Sequence, residues 1–235
     1  TGRFQGSLAK GELFMYNEKT GDARISGSLA SLAGLEKALA DNDLNNIDLA
    51  VKRILLSHAL IMSFGGLPLL YSGDEIGQLN DYNYLENPKK QEDNRWQHRP
   101  EMDWELAEKR SVSGSIPNKI FSSLQKLIDL RKKNADWADI NNLDILRSEN
   151  QHIFAFSRSS RLPDRPELIK SSTVTLANFT SSCQSIRTNV LLEAGLTNPK
   201  HWFDSFSNQP ISIKQRTRIE LQPYQFCFIS SQNHE

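Results

Sequence analysis

The sequence predicts two architectures in succession: an α/β portion that forms the last lap of a (β/α)8 barrel, then an all-β portion that forms an antiparallel β-sandwich. Three observations carry this reading. The run at 67–71, Leu-Pro-Leu-Leu-Tyr, is apolar at nearly every position and leads into Gly73-Asp74-Glu75, as a parallel strand covered on both faces does. Helical apolar stripes lie on both sides of it. After Asn134 the pattern changes to short alternating runs separated by turn residues.

In chain order, Gly2, Gly6, Gly11, Gly21 and Gly27 break up the first 45 residues, where 28–40 predict one short helix through Leu29, Leu32, Ala33 and Leu35. Next, Val51, Ile54, Leu55, Ala59 and Met62 recur at three- and four-residue steps behind Asn46 or Asp48 as cap. They predict a helix to about Ser63, stopped by Gly65-Gly66. The apolar strand follows, then a long polar loop with Asn80, Asp81, Asn83, Asn87-Pro88 and Lys89-Lys90. A second helix starts at Ser115 as cap with Pro117 in its first turn, and its stripe is Ile120, Phe121, Leu124, Leu127 and Ile128. Helix, strand, long loop and helix match helix 7, strand 8 and helix 8 of a barrel whose active site is built from the loops after the strands. Beyond, runs at 140–146, 152–157, 173–177, 211–213, 217–221 and 225–229 alternate with turns at 148–150, 162–166, 197–199 and 207–210, the signature of a sandwich. The expected parts are 1–45, a subdomain inserted after strand 7; 46–134, the terminal portion of the barrel; and 135–235, the β-sandwich.

Lys and Arg number 28 and so do Asp and Glu, so no net field draws nucleic acid or an anionic membrane. No apolar run approaches the roughly 20 residues of a membrane span. Cys183 and Cys227 alone offer no disulfide framework and favour a reducing, cytoplasm-like compartment. The five histidines lack metal-ligand spacing, and no phosphate-cradling glycine loop occurs, so neither a metal nor a cofactor is expected.

The run Gly65-Gly66-Leu67-Pro68-Leu69-Leu70-Tyr71-Ser72-Gly73-Asp74-Glu75, with Asn94-Arg95-Trp96-Gln97-His98-Arg99-Pro100, resembles the amylosucrase branch of the α-amylase family, glycoside hydrolase family 13. So do Phe14-Met15-Tyr16-Asn17 with Thr20-Gly21-Asp22-Ala23-Arg24-Ile25-Ser26-Gly27, and the closing Leu221-Gln222-Pro223-Tyr224-Gln225. The resemblance implies a retaining glucosyl enzyme that takes sucrose, releases fructose and extends α-glucan. It also implies that this chain is a C-terminal fragment. A complete barrel takes about 250 residues before any further domain, and the His-Asp pair that carries the family's transition-state aspartate after strand 7 does not occur in this sequence. The expected partners are sucrose, α-glucan and the missing front of the barrel, and no catalytic residue is expected here.

Residue by residue, the resemblance aligns Arg95 with the arginine that pairs with an aspartate of an early barrel loop and closes the floor of the sucrose pocket. A guanidinium suits this, holding a carboxylate through two hydrogen bonds and staying charged when partly buried. Its bland alternative is a surface arginine in a polar loop. Arg24 matches the arginine of the inserted subdomain that reaches the acceptor side; a loop ion pair with Asp22 is its alternative. Met15 stands where the family usually has glutamine, and a thioether accepts hydrogen bonds only weakly, so hydrolysis is expected to compete better with transfer. Asp81 and Asn80 are candidates for the pocket mouth, with a solvated loop as the alternative. Adjacent strand residues face opposite ways, so Asp74 and Glu75 are read as loop anchors and not as a catalytic pair. Trp104, Trp137 and Trp202 are assigned to packing, Trp96 is left open, and His58 is read as a satisfied core histidine.

Other readings stay open: a sucrose hydrolase or another α-amylase-family glycosidase, a non-catalytic structural remnant, and, from a different class, a carbohydrate-binding β domain. The last requires aromatics exposed on one sheet face, whereas Phe154, Phe156, Phe179, Trp202, Phe203 and Phe206 sit mostly where a core is expected.

Overall fold

Local chemistry sets where the helices begin. Asp43 Oδ1 accepts the Asn46 N–H at 3.0 Å and starts α3 (Leu44–Ser63), a few residues before the caps expected from sequence. Ser115 Oγ accepts the Asn118 N–H at 3.1 Å and starts α5 (Ile116–Lys133). Upstream, β1 (Glu12–Phe14) and β2 (Arg24–Ser26) pair as an antiparallel hairpin with Glu12 opposite Ser26 and Phe14 opposite Arg24. The helix expected over 28–40 is two, α1 (Leu29–Leu32) and α2 (Leu35–Ala40), because Gly34 between them takes a left-handed conformation (φ 91°). A short helix, α4 (Trp104–Glu108), is capped by Asp103.

The computed structural model describes residues 6–139, 141–162, 164–215 and 217–231. It divides into two compact units: the described residues up to Leu55 with Leu70–Leu124, and Leu56–Leu69 with the described residues from Gln125 onward. In the first unit the core gathers Leu35, Ala50, Val51, Ile54, Ile76, Ile120 and Leu124, all buried. Gly77 shows how tight the packing is: a Cβ there would lie 2.7 Å from Ile120 Cδ1, and its φ of +68° independently disfavours a side chain. No described helix is long and apolar enough to cross a membrane.

The expected strand at 67–71 is not a strand. The segment pairs with no described strand, and Leu67 and Leu69 are 93% and 84% exposed. The physical reason is non-local: a strand apolar on both faces gains nothing without a sheet neighbour to bond its backbone and layers to cover its side chains. Helices α3 and α5 form on either side of the segment, and the strand expected between them does not.

The second unit holds two antiparallel sheets. In the larger, β3 (Leu143–Ile145), β4 (Ile153–Leu162), β5 (Arg165–Asn178), β11 (Phe226–Ser231), β7 (Trp202–Asp204) and β8 (Gln209–Pro210) lie in the order β3-β4-β5-β11-β7-β8. In the smaller, β10 (Arg218–Leu221) lies between β6 (Gln184–Arg187) and β9 (Ile213–Lys214). Ile153, Ala155, Val174, Leu176, Cys227 and Ile229 of the large sheet share one apolar cluster with Ile186, Ile219 and Leu221 of the small one and with Val190 and Leu191 of α6 (Asn189–Glu193). On the opposite face of the large sheet, Phe154 and Phe156 pack on Phe64, and Phe228 packs on Trp137 at 4.7 Å between ring centroids. The central strands are thus buried on both faces.

The same unit fixes the carbonyl end of α3 with two arginines. Arg158, 1% exposed, donates from Nη1 to the Phe64 carbonyl at 2.8 Å and from Nε and Nη2 to the Asp136 carbonyl. Arg131 donates to the carbonyls of Met62, Trp137 and Gly66. Orphan carbonyls at a helix end attract cations, and a planar fork serves several at once.

Candidate functional site

The motifs around Met15, Arg24 and Arg95 meet in the first unit. Residues Asn94–His98 form a 3-10 turn capped by Asp93, whose Oδ1 accepts the Arg95 N–H at 3.0 Å. Asn94 ties that turn to the hairpin: Nδ2 donates to the Leu13 carbonyl at 2.7 Å and Oδ1 accepts from Ser26 Oγ at 3.2 Å. Arg95 then lies with its guanidinium carbon 4.9 Å from the Phe14 ring centroid.

Among the described residues the carboxylate on Arg95 is a local one. Asp93 takes it in a forked pair, Nε to Oδ1 at 2.8 Å and Nη2 to Oδ2 at 2.7 Å. These bonds hold the Asp93 carboxyl down to about 2 and raise the guanidinium further. The Arg95 side chain keeps 44% of its surface exposed. Arg24 sits directly across the hairpin from Phe14 and is exposed. Met15 follows Phe14 in a left-handed conformation (φ 53°) with 68% of its surface exposed. The structure therefore brings Arg95, Arg24 and Met15 to one end of the hairpin. Asp81 is positioned separately: its N–H donates to the Gln97 carbonyl at 2.8 Å and its Oδ1 accepts the Asn83 N–H at 2.9 Å.

The contacts of several organising residues carry no sequence signal beyond their being polar in a motif-rich loop. Asn80 accepts the Ser28 N–H at 2.7 Å, donates to the Lys10 carbonyl at 3.1 Å, and its backbone N–H reaches Ser31 Oγ at 2.9 Å. Tyr84 donates to Glu12 Oε2 at 3.0 Å, and burial with that carboxylate pushes its hydroxyl up to about 12. Tyr82 donates to Glu36 at 2.7 Å. Gln97 is fully buried, with neither amide atom partnered among the described residues.

Two clefts border this assembly. The larger, about 890 Å³, includes Asp81, Tyr84, Trp96 and Arg99 in its wall; Lys90 Nζ lies 4.5 Å from the Trp96 ring centroid. The smaller, about 420 Å³, is lined by Glu12, Phe14, Met15, Glu92 and Asn94 among others. Aromatic faces, amides and charged groups in such walls suit a polar, hydroxylated ligand.

Asp74 and Glu75 occupy a 3-10 turn, with Glu75 Oε2 accepting the Gly73 N–H at 2.8 Å. Burial, then the Glu75 charge, raise Asp74 to about 6. His58 is 1% exposed, but neither ring nitrogen has a partner among the described residues, so it is a core histidine without the satisfaction expected of it. Trp137 and Trp202 are core residues as expected, whereas Trp104 is exposed. Among the described residues no group of three or more His, Cys, Asp or Glu side chains could hold a metal ion.

No model of a known protein family matches the chain. Solved structures do. AmyP in complex with maltose aligns with a TM-score of 0.57 at 12% identity, covering 77% of this chain and 34% of that one. A pullulanase from Bacillus acidopullulyticus aligns at 0.53 and 13% identity, covering 88% and 23%. An α-amylase from Anoxybacillus aligns at 0.51 and 20% identity, covering 86% and 36%. The chain thus spans between about a quarter and about a third of the length of the structures it matches. At these identities what is common is the architecture: the chain has the fold of part of an amylase and part of a pullulanase.

Proposed function

We propose that the chain is the C-terminal part of a retaining α-glucosyl transferase or hydrolase of the α-amylase family, and that alone it breaks no glycosidic bond. The carrying observation is the Asn94 tie, which sets Arg95 against Phe14 and gathers Arg95, Arg24 and Met15 at one end of the hairpin. Fold likeness supports the family reading, and the AmyP structures hold maltose and maltotriose, which supports α-glucan as a ligand. The sucrose specificity rests on the amylosucrase-like motifs around Met15, Arg24 and Arg95.

In the proposed longer enzyme, one carboxylate attacks the anomeric carbon and a second protonates the leaving oxygen, giving a covalent glucosyl intermediate that water or a glucan end resolves with retention. Both acids belong to the missing front of the barrel. Residues of this chain bound the pocket: Arg95 shares its fork between Asp93 and an aspartate of the front portion, and Arg24 and Met15 flank the acceptor side.

A second reading, an α-glucan hydrolase indifferent to sucrose, is favoured by the amylase and pullulanase neighbours. Product analysis of the longer protein separates the two. Sucrose should yield fructose with glucose or extended glucan; glucose and maltose from maltotriose with no fructose from sucrose would support the second reading instead. The chain by itself should release no fructose above a boiled control.

A further inference from the structure

We propose that the second unit carries a separate saccharide site, in a hydroxyl-lined cleft beside Trp137, that takes a neutral polyhydroxy ligand of the α-glucan class. The cleft has a volume of about 650 Å³, within the usual range for small-ligand sites. Its wall includes Asp136, Trp137, Ser160, Ser171, Thr173 and Thr197.

The polar groups are organised and not scattered. Ser160 and Ser171 face each other in the β4–β5 register and share a 2.7 Å hydrogen bond, and Ser171 Oγ donates to Asp136 Oδ2 at 2.6 Å. Thr173 Oγ1 accepts from Asn134 Nδ2 at 3.1 Å. Trp137 is 1% exposed and its indole N–H has no acceptor among the described residues. A buried donor left unpaired is costly, and the residue that carries it lines this cleft.

Ligand class follows from charge and donor type. Lys133 and Asp136 lie in the same wall and cancel, so the cleft presents no field for phosphate or another anion. Hydroxyls both donate and accept, as the hydroxyls of a sugar do. No exposed ring offers a stacking platform in this wall, so binding is weak and relies on hydrogen bonds. The choice of α-glucan among polyols rests on the functional reading above; the cleft itself does not.

The test is an NMR titration of the nitrogen-labelled chain with maltotriose, following the Trp137 indole resonance, which the Trp137→Phe variant identifies. A saturable shift of that resonance and of the Ser171 and Thr197 amides is expected. Thr197→Trp, which fills the cleft from an exposed position, should weaken binding roughly tenfold or more, and Ser171→Ala should weaken it too. No saturable shift, an undiminished shift in Thr197→Trp, or shifts confined to the surroundings of Met15 and Arg95 would each overturn the proposal. Failure of the sucrose reading is a separate result, seen as no fructose released from sucrose by the longer protein while the Trp137 shift persists in this chain.

Discussion

Asn94 and Leu13 lie 81 positions apart in the chain, yet the Asn94 amide donates a 2.7 Å hydrogen bond to the Leu13 carbonyl. The same side chain accepts from Ser26, so one amide holds both strands of the hairpin against the turn that carries Arg95.

Asn94→Ala should therefore free the hairpin. Losing two part-buried bonds costs about 1–3 kcal/mol. Amide exchange across 12–26 should accelerate while exchange within the β-sheets of the second unit stays the same; unchanged exchange in the hairpin would show that the tie does not hold it.

Adjacent glycines at the end of α3 should respond differently. A Cβ on Gly65 would come within 2.9 Å of Arg158 Nη1, and φ is +116°. Gly66 has φ +71° and nothing within 4 Å. Gly66→Ala should cost about 1 kcal/mol for backbone strain alone, and Gly65→Ala more, because Arg158 must give up its carbonyls. Equal unfolding midpoints for the two variants would argue against the arginine clamp.

Burial lowers His58 from 6.5 to about 4. Between those values the unfolded state takes up a proton that the folded state refuses, so this contribution is intact above pH 6.5 and lost as pH falls. The loss approaches a ceiling on the order of 3 kcal/mol near the folded value. Urea unfolding of wild type and His58→Leu at neutral and mildly acid pH checks this: the variant should lose less stability on acidification.

Asp74 acts with the opposite sign. Its carboxyl is raised from 3.8 to about 6, so the folded state keeps a proton the unfolded state has released, and stability falls as pH rises through that window. Asp74→Asn should be relatively more stable near pH 8 than near pH 4; the reverse order would mean the carboxylate is stabilised by a partner.

What the sequence shows directly is what neighbouring residues decide. Ser115 and Pro117 announce α5, and Gly65-Gly66 end α3, because caps and stops act within one turn. The segment at 67–71 misleads because its pattern describes a strand's surroundings, and no described strand pairs with it. Residues 184–187 become β6 through a distant partner, Arg218–Leu221, and 202–204 become β7 through Phe226–Ser231 as well as the nearby Gln209–Pro210. The sequence marks Arg95 but not Asp93, two positions earlier, whose fork depends on the geometry of the 3-10 turn. The long-range ties of Asn80, Asn94 and Tyr84 are equally hidden, since an amide or phenol in a polar loop looks solvated until its partner is known.

The most direct test of the account is the Arg95→Lys variant of the proposed longer enzyme, assayed for fructose release from sucrose. Lysine keeps the charge but loses the two-pronged grip. The predicted result is a fall in kcat/KM for sucrose of about a hundredfold, close to 2.7 kcal/mol, with the unfolding midpoint nearly unchanged. Sucrose turnover equal to wild type would contradict the assignment of Arg95 to the pocket.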